Sequence, residues 1–305
     1  MVKYITMRNI RSAFRFIVIT LIMTSAAFLL PTKGLPQEWE TILNITAFLF
    51  GILSGFAITI LWTRLSDVRT NLIEENSYLE SIFYLSSQYG HKILSDITEL
   101  IDRYTISTVV NTLSDYDHSQ DEFLNLYSYI LHKLPNKKGE VDTVKDHMIS
   151  AMNQIITTRE KTLFFSRATL VTYMSGAIYA LGIVLIAALF LNKTNSLTSI
   201  IITAMLSAVT MLVLVLISDL NKMRLWERLF LETNVNRAFD MLGRKRFYDP
   251  WILQQGLMRP KPGEVYRTVD TVDPVGAPKA AAEGRIIVKT WPKKDPLRFL
   301  YKKLL

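Results

Sequence analysis

Four stretches of this chain carry no charged side chain at all. Residues 16–32 make a window of 17, residues 41–63 one of 23, and residues 168–192 and 194–218 one of 25 each. A helix rises ~1.5 Å per residue, so crossing a ~30 Å hydrocarbon core takes about 20 apolar residues. A helix also bonds its own backbone polar groups, which lipid cannot do for it. Three windows reach that length and the first stands at its lower limit. The expected fold is therefore an all-α integral membrane protein with four transmembrane helices. A leader peptide is the alternative for the first window. It has a basic region (Lys3, Arg8, Arg11, Arg15) and an apolar run before Ser25-Ala26-Ala27, but the run continues through Phe28-Leu29-Leu30.

Charge placement orients the spans. With the N-terminus inside, the outer loops are Pro31–Glu40 and Asn192–Ser196, which hold Lys33 and Lys193. The other 33 of the 35 Lys and Arg then lie inside, many flanking the inner ends directly: Arg15, Arg64, Arg69, Arg159, Lys161, Arg167, Lys222, Arg224 and Arg228. This is a positive-inside distribution. Glu38 and Glu40 balance the two outer lysines, so the net +8 is entirely cytoplasmic and needs no nucleic acid to explain it. Trp39 and Trp62 bracket the second span about 34 Å apart, a spacing that suits interfacial anchors.

The organisation that follows is a cytoplasmic N-terminal segment with a first hairpin (1–62), a helical insert (63–167), a second hairpin (168–218), a cytoplasmic helix (219–243) and a Pro-rich tail (244–305). In the insert, Leu65, Val68, Leu72, Leu79, Ile82, Ile93, Ile97, Leu100 and Tyr104 keep a helical 3-and-4 spacing. No proline occurs between Gln37 and Leu134. The second span is therefore expected to continue inward as one long helix, loosened at Gly90. Asp121–Leu134 reads as a short amphipathic helix capped by Asp121 or Ser119. Glu140–Arg167 reads as a helix running into the third span, and Gly243 as a C-cap. Seven of the ten prolines lie at Pro250 or later. There Arg285–Trp291 is the strand candidate, in a tail either packed in extended form or partly disordered.

Most chemistry is missing. Without cysteine there are no disulfides, thiol nucleophiles or cysteine-held metals. The spans hold no Asp, Glu, Lys, Arg or His, which argues against a proton pump or coupled transporter. They hold no proline either, so broken-helix sites are not indicated. His91, His118, His132 and His147 show no ligand spacing. Asp115, Asp117, Asp121 and Glu122 fail the EF-hand pattern, because Gln120 stands at its glycine and Leu126 at its closing acid. Arg244-Lys245-Arg246 reads as an inner-leaflet contact. No catalytic residue, metal site or cofactor is expected, and no enzyme.

The second span is the informative one. Gly51 and Gly55 form a GxxxG pair that permits close helix contact. Phe48, Ile52 and Phe56, at i, i+4 and i+8, make a bulky stripe that Asn44 begins at the outer end. Several copies around an axis would stack this stripe into apolar rings able to gate by dewetting. Lipid-facing or bundle-core packing of the same residues is the alternative.

The stretch Phe48–Tyr89 has a recognisable pattern: Phe48 to Ala57, then Trp62-Thr-Arg-Leu-Ser-Asp67-Val-Arg69, then Asn71-Leu-Ile-Glu-Glu-Asn76. It resembles the bacterial bestrophin-like domain and is more distantly similar to bestrophin channels. The resemblance spans Ile42–Leu242 and includes the order of spans and insert. Where bestrophins carry Asp-Arg-Trp-Trp, this chain has Asp67-Val68-Arg69-Thr70, and no acidic run beyond the fourth span matches their calcium clasp. The resemblance implies a pentameric ion channel of the bacterial inner membrane whose neck is Phe48, Ile52 and Phe56. Its partners would be its own copies, the bilayer and an inorganic ion of unspecified sign. The rival reading is a non-conducting membrane scaffold or sensor whose cytoplasmic helices bind a protein partner.

Overall fold

The computed structural model describes residues 18–29, 38–110, 119–135, 140–222, 235–250, 253, 260–269 and 286–290. The helices are α1 (Val18–Leu29), α2 (Glu38–Ser86), α3 (His91–Val110), α4 (Gln120–His132), α5 (Glu140–Arg167), α6 (Thr172–Leu191), α7 (Leu197–Lys222) and α8 (235–241). Strands β1 (Val265–Val269) and β2 (Ile286–Thr290) follow. The chain forms two compact units, Met1–Leu65 with Ala168–Arg224 and Ser66–Arg167 with Leu225–Leu305.

The first is the membrane unit. Among the described residues three helical stretches are long and apolar enough to cross a bilayer: Glu40–Tyr89, Thr143–Leu191 (interrupted at 168–171) and Leu197–Lys222. The described part of α1 reaches only about 18 Å, and the rest of that window lies outside the described residues. Large apolar side chains stand exposed along these helices, among them Phe48, Ile183, Val184, Ile202, Met205 and Val209. Lipid, not water, suits such a surface. Neighbouring helices come close to α6 at Gly182. A Cβ there would lie 2.8 Å from Leu214 Cδ1 and 3.2 Å from Phe50 Cε2, so α7 and α2 approach α6 where it has no side chain. Several hydroxyls inside this unit are satisfied locally, although the buried Thr20 hydroxyl has no hydrogen-bond partner among the described residues. Ser54 donates to Phe50 O at 2.6 Å and Ser207 to Thr203 O at 2.6 Å, the back-bonding that makes Ser and Thr tolerable in a spanning helix.

Lys193 does not stand free in the outer loop. It is 3% exposed, and its ammonium donates to the carbonyl of Ala27, a lysine on the unpaired carbonyls at the end of α1.

In the second unit α3, α4, α5 and the later part of α2 enclose one core, including Leu79, Ile82, Ile97, Ile101, Phe123, Leu126, Met148, Met152 and Ile155. Of the residues read from the helical spacing of the insert, Leu79, Ile82, Ile97 and Tyr104 are buried in this core and Ile93 and Leu100 partly so, while Ile101, outside that spacing, is buried with them. Gly90 does more than loosen a long helix. It takes φ +92°, a region favouring glycine, and α2 ends before it in a 3-10 turn, Ser87–Tyr89. α3 then starts as a new helix.

α5 does not run into α6. Residues 168–171 are non-helical. The amide of Leu170 instead donates to Asn221 Oδ1 at 3.0 Å, a side-chain partner that supports the break. Ser119 sits at the N-cap of α4 without capping it; its hydroxyl oxygen accepts from Arg159. Gly243 is the expected C-cap, at φ +65°. Arg244 N bonds Phe239 O at 2.9 Å and Gly243 N bonds Asp240 O at 3.3 Å, the paired bonds of a Schellman ending.

The strand read at Arg285–Trp291 is present as β2. It pairs antiparallel with β1, Val265 opposite Thr290 and Val269 opposite Ile286. Phe247 bridges the other side of β1 at Arg267. A second core of Ile106, Val109, Val235, Phe239, Phe247 and Val269 includes β1, so β1 is extended and packed, while β2, paired to it, is largely exposed.

A candidate pore-lining face on α2

Within the membrane unit α2 has a closed and an open side. Thr46, Phe50, Ser54, Ala57 and Leu61 are buried. At about 100° per residue they span roughly 80° of the helix circumference. Directly opposite stand Asn44, Phe48, Thr59, Ile52, Thr63 and Phe56, in angular order, all exposed. The three bulky residues keep 67%, 41% and 62% of their surface at Phe48, Ile52 and Phe56. The apolar stripe is thus uncovered by its own protomer. Thr46 and Ser54, polar groups of the same span, lie on the closed side and line nothing.

Gly51 and Gly55 flank the stripe. A Cβ at either would meet nothing within 4 Å, so the tight helix contact inside the chain belongs to Gly182 and the GxxxG pair faces open space. On the inner side of the stripe the hydroxyl of Thr59 donates to Gly55 O at 3.0 Å.

Arginines hold polar networks in both units. Arg64 is buried and donates to Asn221 O at 3.3 Å. In the second unit Arg159 gathers four helices. Its Nη1 donates to Tyr104 Oη at 2.5 Å and Ser119 Oγ at 3.1 Å, and its Nη2 to Gln120 Oε1 at 3.2 Å. Tyr104 in turn donates to the Glu75 carboxylate. The guanidinium lies over the rings of Phe123 and Tyr104, at 4.9 and 5.3 Å. A second clasp joins Arg267 to Asp102 by two bonds, 2.6 and 2.8 Å, with Arg267 over the Phe239 ring at 4.6 Å. Sequence reading had no access to either, since the clasp joins residues 165 positions apart.

Perturbed acids and phenols here have structural causes. Burial, then the Asp96 carboxylate it bonds at 2.6 Å, pushes Tyr129 up to about 12. Arg246, bonded to Asp240 at 2.6 and 2.9 Å, holds that carboxyl below its ordinary value. Arg246 is thereby committed within the protein, while Arg244 and Lys245 stay exposed. Among the described residues no group of His, Asp and Glu is placed to hold a metal ion. His91, His132 and His147 are exposed, and His118 lies outside the described residues.

A family model for the bestrophin-like domain matches residues 16–222. A solved structure described as that of a membrane protein superposes with a TM-score of 0.53 at 10% identity, covering 77% of this chain and 99% of its own. That likeness concerns the fold alone. No curated protein matches.

Proposed function

Because the chain belongs to the bestrophin-like family, a family of membrane proteins, we propose that it forms a ring of identical subunits, a pentamer, that conducts ions through an axial pore. The observation that carries this reading is the open face of α2, whose apolar stripe is uncovered by its own protomer while the opposite side is fully packed. Set around an axis, Phe48, Ile52 and Phe56 form the neck and Asn44 its outer mouth. Gly51 and Gly55 lie beside the stripe, where the next subunit's helix packs closely. A lone protomer has too little polar surface among its spans to hold a hydrated path, so the pore requires several copies.

The test is reconstitution. Purified protein is expected to run as a closed cyclic oligomer by mass measurement in mild detergent and to pass ions in liposomes. A strict monomer without flux would leave the scaffold reading in its place, with a partner expected to co-purify.

Orientation is part of the proposal: both termini and the insert face the cytoplasm. The chain has no cysteine, so single substitutions report directly. Ser196→Cys, in the exposed loop between α6 and α7, is expected to react with an impermeant maleimide from outside. Asn125→Cys, exposed on α4, is expected to react only after the cells are opened. External labelling of Asn125→Cys would reverse the topology.

A further inference from the structure

We propose that a depression between α2 and α8 binds a small aliphatic α-amino acid as its zwitterion. The site lies wholly within the second unit, shares no residue with the neck and does not rest on the channel reading.

The later part of α2 supplies one wall, with Ile73, Asn76, Ser77 and Glu80. The other wall is α8, with Arg237, Ala238 and Met241. Ile73, Ser77 and Glu80 recur at steps of four and three residues, as do Arg237 and Met241, so each set shares a helix face. Both walls are fixed from behind. Leu79, Ile82 and Leu242 belong to the core of the insert, on which Met241 packs, and Val235 and Phe239 belong to the second core. The gap stays open because Ala238 has only a methyl group to put into it. Its volume is about 130 Å³, roughly four waters at ~30 Å³ each. That space takes the ammonium, α-carbon and carboxylate of an amino acid, with the side chain toward the open mouth.

Four polar side chains line the depression and none is spent elsewhere. Among the described residues Asn76, Ser77, Glu80 and Arg237 make no side-chain hydrogen bond, and Glu80 and Arg237 form no ion pair. No Lys or Arg lies within a turn of Glu80 on α2. Asp240, the acid one turn from Arg237 on α8, is held by Arg246 at 2.6 and 2.9 Å. An acid and a base therefore line one small space without pairing.

A ligand of single charge would satisfy one of them and be repelled by the other. A zwitterion satisfies both. Its ammonium bonds the Glu80 carboxylate, and its carboxylate bonds the Arg237 guanidinium, whose planar fork matches it. Asn76 and Ser77, one turn from Glu80, add a donor and an acceptor each. The rest of the lining, Ile73, Ala238 and Met241, is apolar and suits an aliphatic side chain.

The experiment is calorimetric titration of the full-length protein in detergent with L-alanine, L-valine and L-leucine. At least one is expected to bind with a Kd of about 1 mM or below. Its N-acetyl derivative keeps only the negative charge and its amide only the positive one. Each is expected to bind about fivefold more weakly or worse. Glu80→Gln and Arg237→Gln are each expected to weaken the free amino acid by a similar factor. Glu80→Gln is expected to leave the N-acetyl derivative no weaker than in the parent, and Arg237→Gln the amide. Ser77→Met fills the depression and is expected to abolish binding. Glu80 is half-buried and Arg237 and Ser77 are exposed, so the variants are expected to melt as the parent does. Three results would each overturn the proposal: no binding of any of the three amino acids at about 10 mM, equal binding of the zwitterion and its blocked forms, or an affinity unmoved by both Glu80→Gln and Arg237→Gln.

Discussion

Truncating Phe48, Ile52 and Phe56 together to alanine is expected to raise ion flux about tenfold or more and to leave the pore open without a stimulus. The neck closes because a narrow apolar ring sheds water, and an ion entering it loses hydration with nothing to replace it. Each alanine removes most of a side chain that stands 67%, 41% or 62% exposed in its own protomer, so the cost to folding within the subunit is small while the ring widens. Flux depends exponentially on the barrier: lowering it by only ~1.4 kcal/mol gives about tenfold. The control is on the closed side of the same helix. Phe50 is 6% exposed and reaches the bare backbone at Gly182. Phe50→Ala is expected to lower thermal stability, by about 3 kcal/mol for a buried aromatic, without opening the pore. Single-channel recording and melting in detergent separate the two effects. A neck triple variant that conducts like the parent would show that the constriction lies elsewhere.

The second large effect is expected at Arg159. This side chain is 4% exposed and binds groups from α3 and the start of α4, and through Tyr104 it is linked to Glu75 of α2. Removing a buried charge that satisfies several polar partners typically costs about 3–5 kcal/mol, because the partners lose their bonds and stay buried. Arg159→Met keeps most of the volume and is expected to unfold the helical insert or lower its melting temperature sharply. Arg159→Lys rescues little, since an ammonium lacks the planar fork that reaches Tyr104, Ser119 and Gln120 together. For comparison, Arg103 pairs with Glu99 at 2.5 Å on an open helix surface, and Arg103→Ala is expected to change stability by less than about 0.5 kcal/mol. Equal melting of the Arg159→Met variant and the parent would mean that the network contributes nothing to the insert.

Sequence by itself determined what depends on composition along a single helix. Charge-free windows near 25 residues have few physical outcomes other than a membrane span, and a 3-and-4 apolar spacing such as Leu79, Ile82, Ile97 and Tyr104 specifies which side of a helix is buried. Gly243 was legible for the same reason, since a helix ending needs a left-handed residue at one defined position. The stripe Phe48, Ile52 and Phe56 was visible as a spacing, but its exposure was not, because spacing names a face without saying what covers it. Tertiary structure alone decided that Thr46 and Ser54 turn inward while Asn44 and Thr59 turn out, that the close helix contact is at Gly182, not Gly51 or Gly55, and that Lys193 is held by the carbonyl of Ala27. It also decided the breaks at Gly90 and at residues 168–171, the pairing of β1 with β2, and the clasp between Asp102 and Arg267. Each of these is settled by groups far apart in the chain, and the free energy that selects them appears only when those groups meet.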